Sequence, residues 1–540
     1  EQVVDYALDL KNFHSGSHDK TIVPILISTL APEINTEILF AEDGISNCIK
    51  ANETTLKQVL TDLDTNYRKE SFNIDNWENS SYKPTPTIVE AAQALYANHS
   101  VKDISRHGAD AINLTLTMNA VEKIIKTSKN NRQKSICFIT GVPGAGKTLA
   151  GLDIATQSMS YQKDEHACFL SGNGPLVKVL REALIRNKAE TEHISKKKAE
   201  PHVYAFIQNI HHFRDEYLED TNAPIEKVVI FDEAQRAWNR EQASKFMNKK
   251  SKVKDFDYSE PEFLISVMDR HSDWCVIICL IGEGQEINTG EAGLNEWFKT
   301  LKEKYPTWNV YCSSNAHPPE NLKVCTQNNL HLSVSLRSFK SALLSDFVQN
   351  VIDNKSNDAN MIHQNLCEQY PIFITRNITQ AKNWIRNKAR GSERTGILAH
   401  SNAIRLKPEG IYVKSEIDCT NWFLNSKTDI RSSCALEDCA TEFDVQGLEL
   451  DWTIVAWDAN LRYNNGWEFF KFSGNRWLNI NNDTDKKYLL NSYRVLLTRA
   501  RQGMIIFIPQ GDKYDKTRLP EFYNNIFEYL CECGVQVLPD

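Results

Sequence analysis

Residues 135–148 read Ser-Ile-Cys-Phe-Ile-Thr-Gly-Val-Pro-Gly-Ala-Gly-Lys-Thr, an apolar run followed by a glycine-rich loop and a Lys-Thr pair. The pattern G-x-x-x-x-G-K-[ST] restricts the fold more than any other segment, because such a loop needs a buried strand before it and a helix after it. Leu149 to Met159 is the expected helix. Gly141, Gly144 and Gly146 leave no Cβ in the way, so the backbone N–H groups of Gly141, Val142, Pro143, Gly144, Ala145 and Gly146 (proline excepted) can curl around phosphate oxygens. Lys147 supplies a point charge to the β and γ phosphates, and the Thr148 hydroxyl is a ligand for Mg2+. A nucleotide with Mg2+ is the expected occupant.

The second half of that site is the run Lys227 to Phe231 leading into Asp232, Glu233, Ala234 and Gln235. Four apolar residues in a row suit a strand buried on both faces, and ligands bind at the C-terminal ends of such strands. Alone, an Asp-Glu pair there reads as a helix cap in a favourable dipole. Behind a phosphate loop, Asp232 is expected to hold the metal and Glu233 to polarise an attacking water.

The remainder of the chain suits this α/β reading. Its 540 residues correspond to about three to four domains. Hydrophobic residues at 41% and charged residues at 24% place it among globular chains rather than disordered or fibrous ones. The best apolar run, Cys275 to Ile281, has strand length, so no membrane span is expected. The chain does not begin with Met and its start does not resemble a signal peptide, so a cytoplasmic protein whose N-terminus lies upstream of Glu1 is expected. The 13 cysteines match no zinc spacing and read as free thiols. A net charge of -8 means that nucleic acid would have to be met by a local basic groove.

Strands are expected at Ser135–Thr140, Ala167–Ser171, Lys227–Phe231, Val276–Ile281, Leu330–Ser335, Gly396–Ala399, Trp452–Ala456 and Met504–Pro509, alternating with helices. Lys83-Pro84-Thr85-Pro86 marks a break. The expected units are 1–82, 83–325 with the phosphate loop, and 326–540. Ser195 to Glu200 and Asn248 to Glu260 read as exposed insertions.

Further segments choose among the uses of a phosphate loop. Ile281-Gly-Glu-Gly-Gln285-Glu-Ile, Leu336-Arg337-Ser338-Phe339, Thr441 to Asp451 with Gln446, Gly447 and Glu449, and Tyr493 to Arg501 with Arg499 each adjoin an apolar strand. Their order resembles the motif set of superfamily 1 helicases. With Leu170-Ser-Gly-Asn-Gly-Pro-Leu176, Gly396 to Ser401 and Asp429-Ile-Arg-Ser-Ser433, residues from about Thr85 to Asp540 resemble the bacterial Schlafen group 3-like DNA/RNA helicase domain family.

That resemblance implies two RecA-like P-loop lobes, parallel sheets flanked by helices, with ATP between them. It implies that Gln285 senses the γ-phosphate and that Arg337 and Arg499 reach over as arginine fingers. Gln446, Gly447 and Glu449 would couple the second lobe to nucleotide and strand, and Asn173 would approach the nucleic-acid backbone. Single-stranded DNA or RNA is the implied partner, in bacterial nucleic-acid processing or phage defence. An ATP-gated nucleic-acid sensor that signals without unwinding is the alternative. One departure is that Gln133 is the only glutamine between Ile104 and Ser135, too near the strand to read adenine. Trp238, Trp422, Trp467 and Trp477 could stack bases, although core packing is the commoner use.

Near the start, Gln2 and Tyr6 on a helix ahead of Thr21–Ser28 resemble the Q-x-x-x-Y element of RecB-like PD-(D/E)XK nuclease folds. A partial nuclease-like module, its metal-binding carboxylates upstream, is the expectation; Asp9-Leu10-Lys11 sits within the helix and is no substitute.

Overall fold

The structure is a computed structural model that describes residues 2–34, 37–41, 43–69, 71–78, 80, 87–97, 109–142, 145–161, 166–249, 256–282, 293–333, 339–367 and 370–539. It opens with the helix Gln2–Phe13 and a parallel pair, β1 (Ile25–Ile27) and β2 (Ile49–Ala51). The expected strand Thr21–Ser28 contracts to β1, with Ile22 held only by a single bridge to Ile45. Gln2 Nε2 donates to the Tyr6 hydroxyl at 3.0 Å on the exposed side of the first helix. Two short strands bury little by themselves, and this segment leans on a distant part of the chain. Asp5 accepts hydrogen bonds from Ser392 N (2.8 Å) and Ser392 Oγ (3.2 Å), and Asp43 forms a two-pronged ion pair with Arg390.

The first large sheet comprises β3 (Lys134–Gly141), β4 (His166–Ser171), β5 (Ile207–Asn209), β6 (Glu226–Asp232), β7 (Cys275–Gly282), β8 (Asn309–Cys312), β9 (Val324–Thr326) and β10 (His331–Leu332). The strands run in the order β5-β4-β6-β7-β3-β8-β9, β10 pairs with β3, and every pairing is parallel. Alternation along β3 explains its apolar centre, Ile136 to Ile139. Cys137 and Ile139 enter the core on one face and Ile136 and Phe138 the core on the other. Because β9 and β10 belong to this sheet, it runs past residue 325, where the sequence suggested the division.

The second large sheet takes β11 (Ile372–Thr375), β12 (Thr395–Ala399), β13 (Cys439–Ala440), β14 (Leu450–Ala456), β18 (Ala500–Phe507) and β19 (Gln536–Val537) in the order β13-β12-β14-β18-β11-β19. Its pairings are also parallel. Between β14 and β18 an antiparallel ribbon is inserted: β15 (Leu461–Tyr463), β16 (Trp467–Ser473) and β17 (Arg476–Asn479). The architecture is therefore two RecA-like α/β lobes, each a parallel sheet flanked by helices.

The lobes meet along the helix Gly174–Thr191, which packs on the helices Cys419–Leu424 and Glu442–Val445. Arg186 donates across this contact to Leu424 O (3.3 Å) and Asn425 Oδ1 (3.0 Å). The basic run from Ser195, expected as an exposed insertion, is mostly exposed and opens the helix Lys196–Phe206, with Lys196 paired to Glu182 at 2.7 Å. Much of the second expected insertion, residues 250–255, lies outside the described residues.

Candidate nucleotide site

β7 lies between β3 and β6, so the phosphate loop and Asp232 leave the same sheet edge one strand apart. Two inter-strand steps open a gap of about 10 Å between their backbones. The loop side is tightly seated. A Cβ on Gly141 would come within 2.8 Å of Leu332 Cβ and 3.1 Å of its carbonyl oxygen, so only glycine fits. Val142 N donates to Leu332 O at 3.1 Å. At the far side Gly146 has φ +76°, the left-handed turn that aims the next N–H groups into the loop, and the helix Lys147–Tyr161 follows. Pro143 and Gly144 lie outside the described residues.

Lys147 Nζ donates to Gly141 O (2.8 Å) and Val142 O (3.0 Å). The ammonium is thus parked on the loop it would serve. Thr148 Oγ1 faces both carboxylate oxygens of Asp232, at 3.3 and 3.4 Å. Asp232 is buried, and burial first, then the neighbouring Glu233 charge, raise its pKa; the Thr148 hydrogen bond and the Lys147 charge oppose this. A carboxylate beside a hydroxyl, both oxygen donors, fits a small hard cation such as Mg2+, which takes few protein ligands, completes its shell with water and phosphate, and would favour the ionised carboxylate. Among the described residues no group of three or more His, Cys, Asp or Glu could hold a metal by itself.

Glu233 adopts φ +54°, ψ +43°, a left-handed conformation uncommon for a side-chain-bearing residue and concentrated at functional sites. Its carboxylate accepts from Gln235 Nε2 at 2.7 Å, while Gln235 Oε1 accepts from Gly282 N at 3.0 Å. Trp297 Nε1 fixes the turn by donating to Ala234 O at 2.9 Å. Gln235 therefore joins Glu233 to the end of β7, just before the segment carrying Gln285.

The structure brings together Gly141, Val142, Lys147, Thr148, Asp232 and Glu233. Gln285 and Arg337 lie outside the described residues. Arg499 is buried and turned onto its own lobe, with Nε donating to Val495 O (3.0 Å), Nη1 to Leu448 O (3.5 Å) and Nη2 to Thr498 Oγ1 (3.3 Å). Gly447 (φ +76°) presses on lobe 1, where an added Cβ would meet Leu176 at 3.1 Å and Asn173 at 3.5 Å. Glu449 lies in the field of Arg501.

Asn173 caps the helix Gly174–Thr191 by accepting from Leu176 N at 3.2 Å, and its amide donates to Gln446 O in lobe 2. Gln133 is engaged with the Tyr311 hydroxyl at the start of β3, the end of the strand opposite the phosphate loop. Trp422 is core, Trp467 donates to Ile352 O (2.8 Å) and Trp477 to Thr517 O (2.8 Å); Trp238 is half-buried against Phe246. Sequence reasoning missed Arg236, whose Nη1 donates to Gln446 Oε1. Only its position directly after Asp-Glu-Ala-Gln hints at a role.

A family model described as "Schlafen group 3, DNA/RNA helicase domain" matches residues 134–510. No curated protein matches the chain. Among solved structures, "Crystal Structure of DUF1998 helicase MrfA bound to DNA" is 12% identical, with TM-score 0.34, covering 88% of this chain and 62% of that one. A second, "Crystal Structure of DUF1998 helicase MrfA bound to DNA and AMPPNP", is 12% identical with TM-score 0.31, covering 88% and 61%. The chain thus spans about three fifths of the length of those solved chains. No helix among the described residues is long and apolar enough to cross a membrane.

Proposed function

Because the chain belongs to the Schlafen group 3 DNA/RNA helicase domain family, we propose that it is an ATP-dependent superfamily 1 helicase or translocase that hydrolyses ATP between its two lobes. The observation that carries this reading is Thr148 facing the buried Asp232 carboxylate where the phosphate loop ends, with Gln446 of the second lobe bonded to Arg236 a few residues beyond Asp232. The N–H groups of Gly141 to Thr148 would hold the phosphates, and Lys147 would exchange the Gly141 and Val142 carbonyls for β and γ oxygens. Mg2+, held by Thr148 and Asp232, would supply neutralisation of the charge that gathers on the transferred phosphoryl group. Glu233 would orient the attacking water, its carboxylate steadied by Gln235. Arg499 would have to leave the Val495 and Leu448 carbonyls to reach the γ-phosphate, joined by Arg337 and Gln285. Gly447 and Glu449 would close the pocket from lobe 2. Single-stranded DNA or RNA would run past Asn173 and Gln446, in bacterial nucleic-acid processing or phage defence.

A second reading, an ATP-gated nucleic-acid switch, draws support from one contact. The N-terminal segment is tied to lobe 2 by Asp5 and Asp43, so lobe movement would carry it, and that segment would be the end of a nuclease-like module. Strand displacement from a tailed duplex separates the two. The motor reading expects ATP-dependent release of the displaced strand with a 5′ or a 3′ tail. Nucleic-acid binding with slow hydrolysis and no release with either tail would replace it by the switch.

A further inference from the structure

Lobe 1 grips Gln446 of lobe 2 at both of its oxygens: Asn173 donates to its backbone carbonyl and Arg236 to its side-chain Oε1. It is buried, and its Nε2 has no hydrogen-bond acceptor among the described residues, so the amide is oriented by what holds the oxygens. Gly447, pressed against Leu176, leaves the backbone there little freedom to slide.

Arg236 is also tied to the phosphate site. It closes the short turn Ala234–Arg236, and its N–H donates to Glu233 O at 2.9 Å. Glu233 holds the left-handed conformation, and its carboxylate is bonded to Gln235, which reaches Gly282. Trp297 holds Ala234 O, so movement of Glu233 as a γ-phosphate and its water arrive would turn this segment about Ala234. A rotation at that point displaces the Arg236 guanidinium, whose partner lies in the other lobe.

We propose that Arg236 is a positioning residue that reports the state of the phosphate site to lobe 2 through its hydrogen bond to Gln446. The inference rests on the ATPase reading above and assigns it a specific connection. Arg236 touches no reacting atom in this scheme; it sets whether lobe 2, with Arg499 and Glu449, follows the nucleotide.

Hydrogen exchange on the full chain, with and without AMPPNP and Mg2+, tests this. In the wild type, nucleotide should protect residues 141–149 and also change exchange across 441–449. Arg236→Ala should keep the first effect and lose the second. Gln446→Ala should do the same, the double variant should lose no more, and Arg236→Lys should restore part of the response. In steady-state hydrolysis the same Arg236→Ala should lower strand-stimulated kcat about tenfold with KM for ATP little changed. A lobe 2 response that persists in both single variants, or is missing from a wild type protected at 141–149, overturns the proposal. No protection of 141–149 in the wild type removes the nucleotide site itself, and the proposal with it.

Discussion

Gly151 lies on the helix behind the phosphate loop, where a methyl group should be felt both in stability and in the site. Replacing glycine by alanine within a helix ordinarily gains about 1 kcal/mol. Here the new Cβ would stand 2.6 Å from Leu280 Cδ1, 2.9 Å from Phe169 Cε2 and 3.0 Å from Ile230 Cγ2. Those side chains come from β7, β4 and β6 and are all buried, so none can swing away. Overpacking of this kind costs roughly 1–3 kcal/mol, and three simultaneous clashes place it at the upper end. The clash therefore outweighs the helix gain, for a net loss of about 1–2 kcal/mol. The cheapest relaxation lifts the helix from the sheet, carrying Lys147 and Thr148 away from Asp232, and a shift approaching 1 Å lowers kcat by tenfold or more. Urea unfolding and ATP hydrolysis of Gly151→Ala measure both effects. Gly174→Ala is the control, since its Cβ would meet only Asn209 Nδ2, at 3.8 Å. A Gly151→Ala variant as stable and as active as the control would refute the reasoning.

Glu393 offers a pH test. Burial first pushes its carboxyl up to about 7, and the nearby Asp451 adds to this. Its folded pKa lies above the ordinary 4.5, so its stabilising share is complete below about pH 4.5 and is lost as pH rises through about 7. Glu393→Gln should flatten the fall in stability between pH 5 and 8 by about 1–3 kcal/mol, read from unfolding at each pH; an unchanged slope contradicts the assignment. At Gly391 (φ +49°) an added Cβ would fall 2.0 Å from Asp5 Oδ1. Gly391→Ala should loosen residues 2–66 from lobe 2 and expose them to protease, with the lobes still resistant; an unaltered digestion pattern would show that the contact is not needed.

What was legible in the sequence follows from range. The phosphate loop, the Asp232 strand and the long apolar strands β3, β6, β7 and β14 depend on neighbours a few residues away, and pattern alone reveals them. Short strands such as β5, Ile-Gln-Asn, and β8, Asn-Val-Tyr-Cys, carry too few apolar residues to stand out, and only pairing to β4 and β3 makes them strands. Arg236 and Gln446 are 210 positions apart, so no local signal foretells their bond. Arg499 shows the reverse limit, because its motif suggests a finger while the side chain rests on Val495 and Leu448 carbonyls. The N-terminal pair Gln2 and Tyr6 fits a spacing, yet the two bond to one another on an exposed helix face.

The central claim, that nucleotide turnover at Lys147, Thr148 and Asp232 is coupled to a nucleic-acid strand, is tested most directly by steady-state ATP hydrolysis. Rates would be compared without polymer, with single-stranded DNA and with single-stranded RNA, using Lys147→Ala as the blank. The account predicts hydrolysis stimulated by at least one polymer and absent from Lys147→Ala. A folded wild type whose rate ignores both polymers at low salt, or equals that of Lys147→Ala, would contradict it.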